Sequence, residues 1–338
     1  RRSGGGRMSG VSAFGALPDG RAVQRITLRG GGLVAQVLTL GATLQDLRLE
    51  GVPHPLVLGA EDPTQYLEGM LYCGAIVGRF ANRIGGGQFD LDGRRWQVDC
   101  NFRGTACLHG GSDGMAVQIW QIADLAEDRV VLVLDLPDGH MGFPGALRAE
   151  VTIALTGQGA LCFAMQATST APTPCNLAHH SYFNLDDSTD ARGHLLQVAA
   201  DHYLAVDQGL IPVGAPEPVA GTAFDFRLAR PVGDHGFDHN FCLSDRVQPL
   251  RPVASLTAPR GDLRLVVETD APGLQVYDGA HLNGQPGLGG RRYGPHAGIA
   301  LETQGWPDAP NRPDFPPAIL RPGETYRHEA VYRFERVT

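Results

Sequence analysis

One short segment of the chain brings together side chains that could transfer protons and hold a polar ligand. Within 175–185, His179, His180, Ser181 and Tyr182 follow one another among apolar residues. Histidine is the side chain whose ordinary pKa lies closest to neutrality, so it can serve as a proton donor or acceptor. If the segment is extended, successive side chains point to opposite faces, and only one of the two histidines can enter a given cleft. The segment therefore predicts an acid–base site.

Four further polar clusters are flanked by apolar residues or glycines, as expected of groups held at the edge of a core. They contain Asn82 with Arg83, His109, Asp238 and Glu302. Singly, each has a structural explanation, such as a turn histidine, a capping aspartate or an arginine in a structural ion pair. Together they supply a proton donor, a proton acceptor and several partners for sugar hydroxyls. We therefore expect them to converge on one site.

The elements that must position these side chains are β-strands. The chain has 45 Gly and 24 Pro in 338 residues, and short β-branched or Leu-rich runs alternate with glycine turn signals. Gln88–Leu91 and Arg95–Val98 form a predicted hairpin around an Asp-Gly turn. Helical signals are limited to short turns near Pro63–Leu67 and Ala229–Val232. This pattern predicts an all-β fold with few short helices.

We expect a single domain over residues 8–338, built as one large antiparallel β-sandwich. The chain contains no repeat of fixed period and no convincing linker. Residues 1–7, which precede Met8, look like the remnant of a tag or linker.

Composition and charge exclude several functions. A formal net charge of −8 does not provide the basic surface that nucleic acids or anionic membranes require. No run approaches the ~18 apolar residues of a membrane span. All 28 Lys and Arg residues are arginine, so Schiff-base chemistry, a pyridoxal phosphate anchor and a Walker-type phosphate lysine are excluded. A small neutral substrate fits this chain better.

The cysteines and histidines show no metal-binding pattern. The six cysteines form neither a Cys-x-x-Cys pair nor zinc-finger spacing, and no His-x-x-x-His pair falls on a plausible helix. We therefore predict buried cysteines in a reducing, cytoplasmic environment, and no metal site.

Five segments carry a resemblance to a known family. Val77–Ile84, Leu108–Gly111, His180–Leu185, Phe237–Phe241 and Leu301–Asn311 resemble, in this order, the signature segments of the aldose 1-epimerases, also called galactose mutarotases. They span most of the chain after Met8. The resemblance implies a β-sandwich that interconverts the α and β anomers of free aldoses such as galactose and glucose. It implies a monosaccharide partner and no cofactor. Exposed β-edges could pair two copies of the chain, so both a monomer and a homodimer stay open.

The resemblance also implies roles for individual residues. Glu302 matches the general base, His180 the general acid, and His109 a second histidine against the sugar. The implied substrate-binding residues are Asn82, Arg83, His109, His180, Ser181, Tyr182, Asp238, Gln275 and Glu302. The chain departs from the family at His179, where asparagine is usual, and at Cys107, where a polar residue is common. These departures concern substrate preference and not the reaction.

Interconverting anomers requires a base for the C1 hydroxyl proton and an acid for the ring oxygen. The ordinary pKa values of Glu and His, about 4.3 and about 6.5, provide an ionised Glu302 and a protonatable His180. We expect the neighbouring carboxylates of Glu302 and Asp238 to favour the imidazolium form of His180.

Three other functions remain open on the same residues. Arg83 with Arg291 and Arg292 could hold a phosphate, which would indicate a hexose-6-phosphate mutarotase. Glu302 and Asp238 could form the carboxylate pair of a glycoside-active enzyme. The fold could also serve as a non-catalytic sugar-binding module, although such a module needs neither a base nor an acid.

Overall fold

The structure is a computed structural model and describes residues 10–337, so the predicted tag remnant at 1–7 lies outside the described residues. Strands form nearly all of its regular structure. Numbered in chain order, they are β1 (Val11–Ala16), β2 (Ala22–Gly30), β3 (Leu33–Leu38), β4 (Thr43–Leu49), β5 (Ile76–Val77), β6 (Arg83–Gly85), β7 (Gln88–Leu91), β8 (Arg94–Gln97), β9 (Ala106–Leu108), β10 (Gln121–Leu125), β11 (Arg129–Leu136), β12 (Leu147–Thr156), β13 (Ala160–Ser169), β14 (Thr173–Pro174), β15 (Ala178–His179), β16 (Tyr182–Phe183), β17 (Leu195–Val198), β18 (His202–Tyr203), β19 (Glu217–Pro218), β20 (Arg230–Pro231), β21 (Asp238–Cys242), β22 (Arg251–Thr257), β23 (Leu263–Thr269), β24 (Gly273–Tyr277), β25 (Gln285–Pro286), β26 (Arg292–Tyr293), β27 (Ile299–Gln304), β28 (Ile319–Leu320) and β29 (Tyr326–Arg336).

The helices of the described chain are short 3₁₀ turns, and residues 10–337 contain no α-helix. The 3₁₀ turns are Pro63–Leu67, Met115–Val117, His140–Gly142, Ala191–Gly193, Leu288–Gly290 and Ala309–Asn311. The first of them is capped by Asp62, whose carboxylate accepts the Thr64 N–H at 2.9 Å.

A nine-stranded antiparallel sheet forms one layer of the molecule, in the order β10-β11-β12-β13-β29-β23-β22-β17-β20. Its central strands are long and pair residue by residue, as β12 does with β13 from Leu147↔Ser169 to Thr156↔Ala160. Along β23, the buried Leu263, Leu265 and Val267 alternate with residues that are only half-buried. This period of two is the one expected of a sheet with a single face in a core.

The opposite layer consists of a four-stranded sheet, β1-β2-β3-β4, and a six-stranded sheet, β16-β27-β24-β21-β18-β19. Side chains from all three sheets contribute to one continuous hydrophobic cluster, among them Leu28, Phe163, Leu265 and Leu301. The prediction of an all-β antiparallel sandwich is confirmed.

Alternation along the six-stranded sheet separates its core face from its outer face. On β27, Leu301 enters the hydrophobic cluster and Glu302 faces away from it; on β24, Leu274 and Val276 enter the cluster and Gln275 faces away. Register places Glu302 opposite Gln275. Polar side chains therefore collect on the outer face of this sheet.

Two predictions about local structure have different outcomes. The predicted hairpin is present as β7 and β8. The helical turn predicted near Ala229–Val232 is wrong, because Arg230–Pro231 forms β20 and pairs with β17 at the edge of the large sheet. Proline is tolerated at such an edge, where its missing N–H leaves no ladder bond broken.

All six cysteines are unpaired thiols. In the part of the chain that the structure describes, no helix has the length and hydrophobicity required to cross a membrane.

Candidate active site

A cavity of about 450 Å³ opens on the outer face of the six-stranded sheet. Its walls come from the sheet, from the loop between β4 and β5, and from the segments on either side of β9. The lining residues are Glu68, Gly69, Leu71, Tyr72, Asn82, Arg83, Phe102, Arg103, Leu108, His109, His180, Tyr182, Leu210, Asp238, Tyr277, His281, Gln285 and Glu302.

His180 and Glu302 form an acid–base pair in this cavity. His180 Nε2 lies 3.4 Å from Glu302 Oε2, and both side chains are buried. The His180 backbone is fixed at both ends, because its N–H donates to Ala75 O at 3.0 Å and its carbonyl accepts from Gly74 N at 2.8 Å. Glu302 lies mid-strand on β27. The pair is therefore held by backbone elements on both sides.

Burial shifts the two pKa values in opposite directions, both toward the neutral forms. Desolvation lowers the pKa of His180 to about 4 and raises the pKa of Glu302 well above its ordinary value, with Asp238 adding to the rise for Glu302. The expectation that nearby carboxylates hold His180 as an imidazolium is wrong, because desolvation outweighs the attraction of Asp238. Burial therefore favours the neutral form of the pair, in which the shared proton lies on Glu302.

His109 reaches the cavity from a tight junction with Asn82. The His109 N–H donates to Asn82 O at 3.0 Å, and the Asn82 N–H donates to His109 Nδ1 at 3.1 Å. Both residues have left-handed backbones, with φ of 52° and 64°, a conformation that is uncommon outside glycine and concentrates at functional sites. Gly110 follows with a φ of 85°, and a Cβ there would overlap the carbonyl oxygen of Gly78. The site requires this close approach of two backbones.

The Asn82 contact decides the tautomer of His109. Because Nδ1 accepts a hydrogen bond, the neutral ring carries its proton on Nε2. Burial, aided by the charges of His180 and Arg83, lowers the pKa of His109 well below its ordinary value, so the ring stays neutral. His109 is therefore a fixed N–H donor.

This tautomer also bears on metal binding. His109, His180 and Glu302 bring possible ligand atoms within 4.8 Å of one another. Nε2 of His109 has no lone pair to offer while Nδ1 accepts the Asn82 N–H, so the trio supplies only two ligand atoms. The donor set fits a polar organic ligand better than a metal ion.

An ion pair lies on the same face of the sheet. Arg83 Nη2 lies 3.2 Å from Asp238 Oδ2, and Gln275 Nε2 donates to Asp238 Oδ1 at 2.7 Å. The Arg83 guanidinium also stacks on Phe102, 4.4 Å from the ring centre. Asp238 thus has one partner on each oxygen, and its remaining lone pairs can accept hydroxyl protons.

The cavity gathers most, but not all, of the residues that the sequence indicated. Asn82, Arg83, His109, His180, Tyr182, Asp238 and Glu302 line it. Ser181 and Gln275 do not, although both are buried. Ser181 points to the opposite face because it alternates with His180 and Tyr182, whereas Gln275 lies against Asp238.

Three further buried residues lie away from the cavity. His179 is 0% exposed and stacks on Phe163 at 3.9 Å between ring centres, so the prediction that only one histidine enters the cleft is confirmed. Cys107 is buried in a different apolar cluster, together with Trp306. Trp306 donates from Nε1 to Pro272 O at 2.9 Å, which makes it a structural anchor.

Sequence reasoning missed several aromatic walls of the cavity. Tyr277 follows Gln275 by two residues on β24 and shares its face, so strand alternation was the signal that could have found it. Tyr72 and His281 lie in irregular loops. No periodic pattern indicates which loop side chains point inward.

Fold and site together define a class of protein: an all-β enzyme with a buried acid–base pair beside groups suited to sugar hydroxyls. A sequence model of the aldose 1-epimerase family matches residues 24–333. The chain is 40% identical to the galactose mutarotase of Rattus norvegicus, over 96% of this chain and 97% of that one. It is 37% identical to the aldose 1-epimerase of Escherichia coli K12, over 94% and 96%.

Solved structures agree with these sequence matches. A galactose 1-epimerase from Lactobacillus acidophilus superimposes with a TM-score of 0.85 at 30% identity, covering 97% of this chain and 98% of that one. An aldose epimerase homologue from Caenorhabditis elegans gives a TM-score of 0.87 at 28% identity, over 94% and 100%. The chain belongs to the aldose 1-epimerase family, and is accordingly an isomerase.

Proposed function

We propose that this protein interconverts the α and β anomers of free aldoses of the galactose and glucose type. The observation that carries the proposal is the 3.4 Å contact between His180 Nε2 and Glu302 Oε2 in a cavity that also contains hydroxyl-binding groups. Opening and reclosing a hemiacetal ring needs one acid and one base, and no oxidant, metal or carrier group. The names of the relatives support the same reaction.

Ring opening uses the ionised form of the pair. Glu302 carboxylate accepts the proton of the C1 hydroxyl, while His180 imidazolium donates its proton to the ring oxygen. The C1–O5 bond breaks, C1 becomes an aldehyde and O5 becomes a hydroxyl. Glu302 ends as a carboxylic acid and His180 as a neutral imidazole.

Ring closure uses the neutral form of the same pair. After rotation about C1–C2, His180 accepts the O5 proton and Glu302 donates its proton to the aldehyde oxygen as O5 attacks the other face of C1. The pair returns to its ionised form, so no proton is gained or lost over the cycle. Burial favours the neutral form, and a bound sugar with hydroxyl donors at Glu302 offsets that preference.

The other cavity groups position the sugar in this proposal. His109 donates from Nε2, because its tautomer is fixed, and therefore stabilises a sugar oxygen without accepting a proton. Arg83 provides donors and Asp238 provides acceptors for adjacent hydroxyls. Asn82 and Tyr182 add polar contacts at the walls. Gln275 acts through Asp238, which it holds at 2.7 Å.

Phosphorylated sugars are less well served by the cationic groups. The Arg291 guanidinium is paired with Asp187 at 2.7 Å, and Arg291 and Arg292 line a separate cavity. Arg83 is paired with Asp238. These contacts favour a neutral sugar.

Polarimetry of freshly dissolved α-D-galactose and α-D-glucose in dilute buffer tests the proposal. We expect the protein to accelerate the approach to the same final rotation, and Glu302→Gln protein at equal concentration to show only the spontaneous rate. Glucose 6-phosphate and methyl β-galactoside serve as comparison substrates. Acceleration on the phosphate alone, release of reducing sugar from the glycoside, or sugar binding without acceleration would each contradict the proposal.

A further inference from the structure

Tyr72 is a cavity residue to which neither the sequence motifs nor the proton transfers give a role. It lies in the loop between β4 and β5 and lines the same cavity as His180 and Glu302. Its backbone is left-handed, with a φ of 69°. A bulky non-glycine residue in this region is strained, and such strain concentrates at functional sites. The fold therefore holds this ring against a local preference.

The hydroxyl of Tyr72 is oriented by Asn101. The Asn101 amide bonds both backbone groups of Leu108, accepting from its N–H at Oδ1 (2.8 Å) and donating from Nδ2 to its carbonyl (2.9 Å). These two contacts decide which end of the amide is nitrogen. The second proton of Nδ2 is directed at Tyr72 Oη, 3.2 Å away. The Tyr72 oxygen must therefore be the acceptor in that contact.

This assignment leaves the hydroxyl proton of Tyr72 available. Asn101 cannot accept it, and the residues that the structure describes place no other acceptor within hydrogen-bond distance of Oη. Burial raises the pKa of Tyr72 to about 12, so the hydroxyl keeps its proton at neutral pH. Because the residue lines the cavity, the remaining partner for this proton is a ligand there.

The ring of Tyr72 contacts both histidines of the site. It meets His109 edge-on with 4.6 Å between ring centres, and lies nearly parallel to His180 at 6.3 Å. Leu108, whose backbone Asn101 holds, directly precedes His109. Asn101 and Tyr72 are thus connected to the same wall of the cavity as the fixed N–H donor.

We propose that Tyr72 is a specificity-determining residue that donates from its hydroxyl to an aldose hydroxyl outside the two proton transfers, and that Asn101 positions it for this contact. The inference rests on the proposed function, since it names a sugar contact in the same site. Glu302 and His180 serve O1 and O5, so the contact falls on a substituent at C2, C3, C4 or C6. The residue contributes to sugar affinity and to the choice among aldoses.

Tyr72→Phe tests the contact, with Tyr66→Phe as a matched control. Tyr66 belongs to the same loop but does not line the cavity, and its hydroxyl accepts from Ala60 N at 2.9 Å. Both substitutions remove one hydroxyl. We expect KM for galactose to rise about 3–10-fold in Tyr72→Phe, with kcat within about twofold, as one neutral hydrogen bond allows. Tyr66→Phe should lower stability and leave KM unchanged. An unchanged KM in Tyr72→Phe would overturn the proposal.

Deoxygalactoses identify the sugar group. KM is measured for the 2-, 3-, 4- and 6-deoxy sugars with wild type and Tyr72→Phe, which forms a double-mutant cycle between the two hydroxyls. One deoxy sugar should have the same KM in both proteins, because its partner hydroxyl is missing. An equal rise for all four would assign Tyr72 only a role in holding the histidines, and the proposal would fail.

The test separates this inference from the proposed function. If the wild-type protein accelerates mutarotation and Tyr72→Phe behaves like wild type, only the inference fails. If the wild-type protein accelerates no sugar, the proposed function fails, and titration calorimetry of galactose with the same variants still decides on Tyr72. Weaker binding by Tyr72→Phe alone would support the contact, and equal binding would overturn it.

Discussion

Strands β13 and β27 each lie between two neighbours in a sheet, yet they bury different kinds of side chain. On β13, Phe163 and Met165 enter the core, whereas Ala164 between them is exposed. On β27 every residue is buried, and the face directed away from the core carries Glu302 and Gln304. Strand β13 buries the side chains that face the core and leaves most of its other face partly or fully exposed. Strand β27 also buries polar side chains on the face directed away from the core.

The same difference appears in hydrogen bonding. Around β27, several buried polar atoms find no partner among the described residues: His180 Nδ1, Gln304 Oε1 and Asn240 Nδ2. Strands β12 and β13 contain no such atom in the described chain. A buried polar group without a partner costs about 1–3 kcal/mol. Strands β12 and β13 therefore stabilise the fold without this cost, and the site face is maintained at the expense of stability.

The largest effect expected from this contrast is on the rate of Glu302→Gln. The substitution keeps the shape of the side chain and deletes the base, so kcat should fall about 10²–10⁴-fold with the fold unchanged. Stopped polarimetry on galactose measures it. Glu329→Gln, which changes an exposed carboxylate on β29, is the control and should retain wild-type kcat.

Stability of the Glu302→Gln variant should move in the opposite direction to its rate. The pKa of Glu302 is raised in the folded protein above its ordinary value of about 4.3. Below that pH the carboxyl is protonated in both states, and its titration costs no stability. Above it the unfolded chain loses the proton more readily than the folded protein, so the free energy of unfolding falls as pH rises. The variant should therefore unfold at a higher temperature than wild type at pH 7, and the difference should vanish near pH 4. An equal or lower melting temperature at pH 7 would contradict the contrast between the sheets.

Leu265→Ala is the reciprocal change in the large sheet. Leu265 is 0% exposed on β23, and truncating such a residue costs about 2–5 kcal/mol. Urea unfolding should show this loss, while kcat and KM of the folded protein stay at wild-type values. Leu265→Met, which nearly conserves volume, should cost less than about 1.5 kcal/mol. A fall in kcat with the fold intact would mean that the two sheets are not independent.

The sequence allowed the large sheet and much of the site to be predicted, for a shared reason. Short β-branched or Leu-rich runs between glycines indicated the strands, and period-two alternation separated His179 from His180. Both signals are local in the sequence. The alternation rule, applied consistently, would have removed Ser181 from the site and added Tyr277.

Two features of the site were not accessible to such reasoning. Tyr72 reaches the cavity from a loop in which its own backbone is left-handed, and loops have no periodic sequence pattern from which side-chain direction can be predicted. The pKa of His180 depends on how completely distant segments exclude water from it. A local reading of the charges gave the wrong direction, because desolvation outweighed the contribution of Asp238. Properties that depend on long-range burial appear only when the chain is folded.

The next prediction concerns the pH dependence of the rate. The pair needs a single proton, so activity falls when a second one binds to His180. Because burial lowers the pKa of His180 to about 4, the acid limb of kcat/KM should lie near pH 4. A histidine with an ordinary pKa of about 6.5 would leave about 3% of the activity at pH 5. We expect most of the activity to remain at pH 5, with circular dichroism confirming the fold. An acid limb near pH 6.5 would contradict the desolvated site.

The smallest effect concerns His179, which lies where the two regions meet. Its ring stacks on Phe163 of the large sheet, its neighbour His180 serves the site, and neither of its ring nitrogens has a partner among the described residues. His179→Leu removes the unpaired polar atoms and keeps an apolar contact. We expect a gain of about 1 kcal/mol in the free energy of unfolding at pH 7, with kcat unchanged.

Acid should widen this gain, and a second buried histidine provides the control. Burial lowers the pKa of His179 well below 6.5. Below pH 6.5 the unfolded chain therefore binds a proton that the folded protein does not bind, and the stability of the wild type falls. His179→Leu lacks this titrating group and does not show this loss. His194 is equally buried, but its Nε2 accepts from Leu185 N at 2.9 Å and its Nδ1 lies 3.0 Å from Ala191 O. His194→Leu should therefore lose stability at pH 7. Urea midpoints at pH 7 and pH 5 compare the two variants. If His179→Leu and His194→Leu lose stability equally, the missing hydrogen bonds of His179 do not destabilise the fold. His179 would then belong with the stabilising core and not with the site.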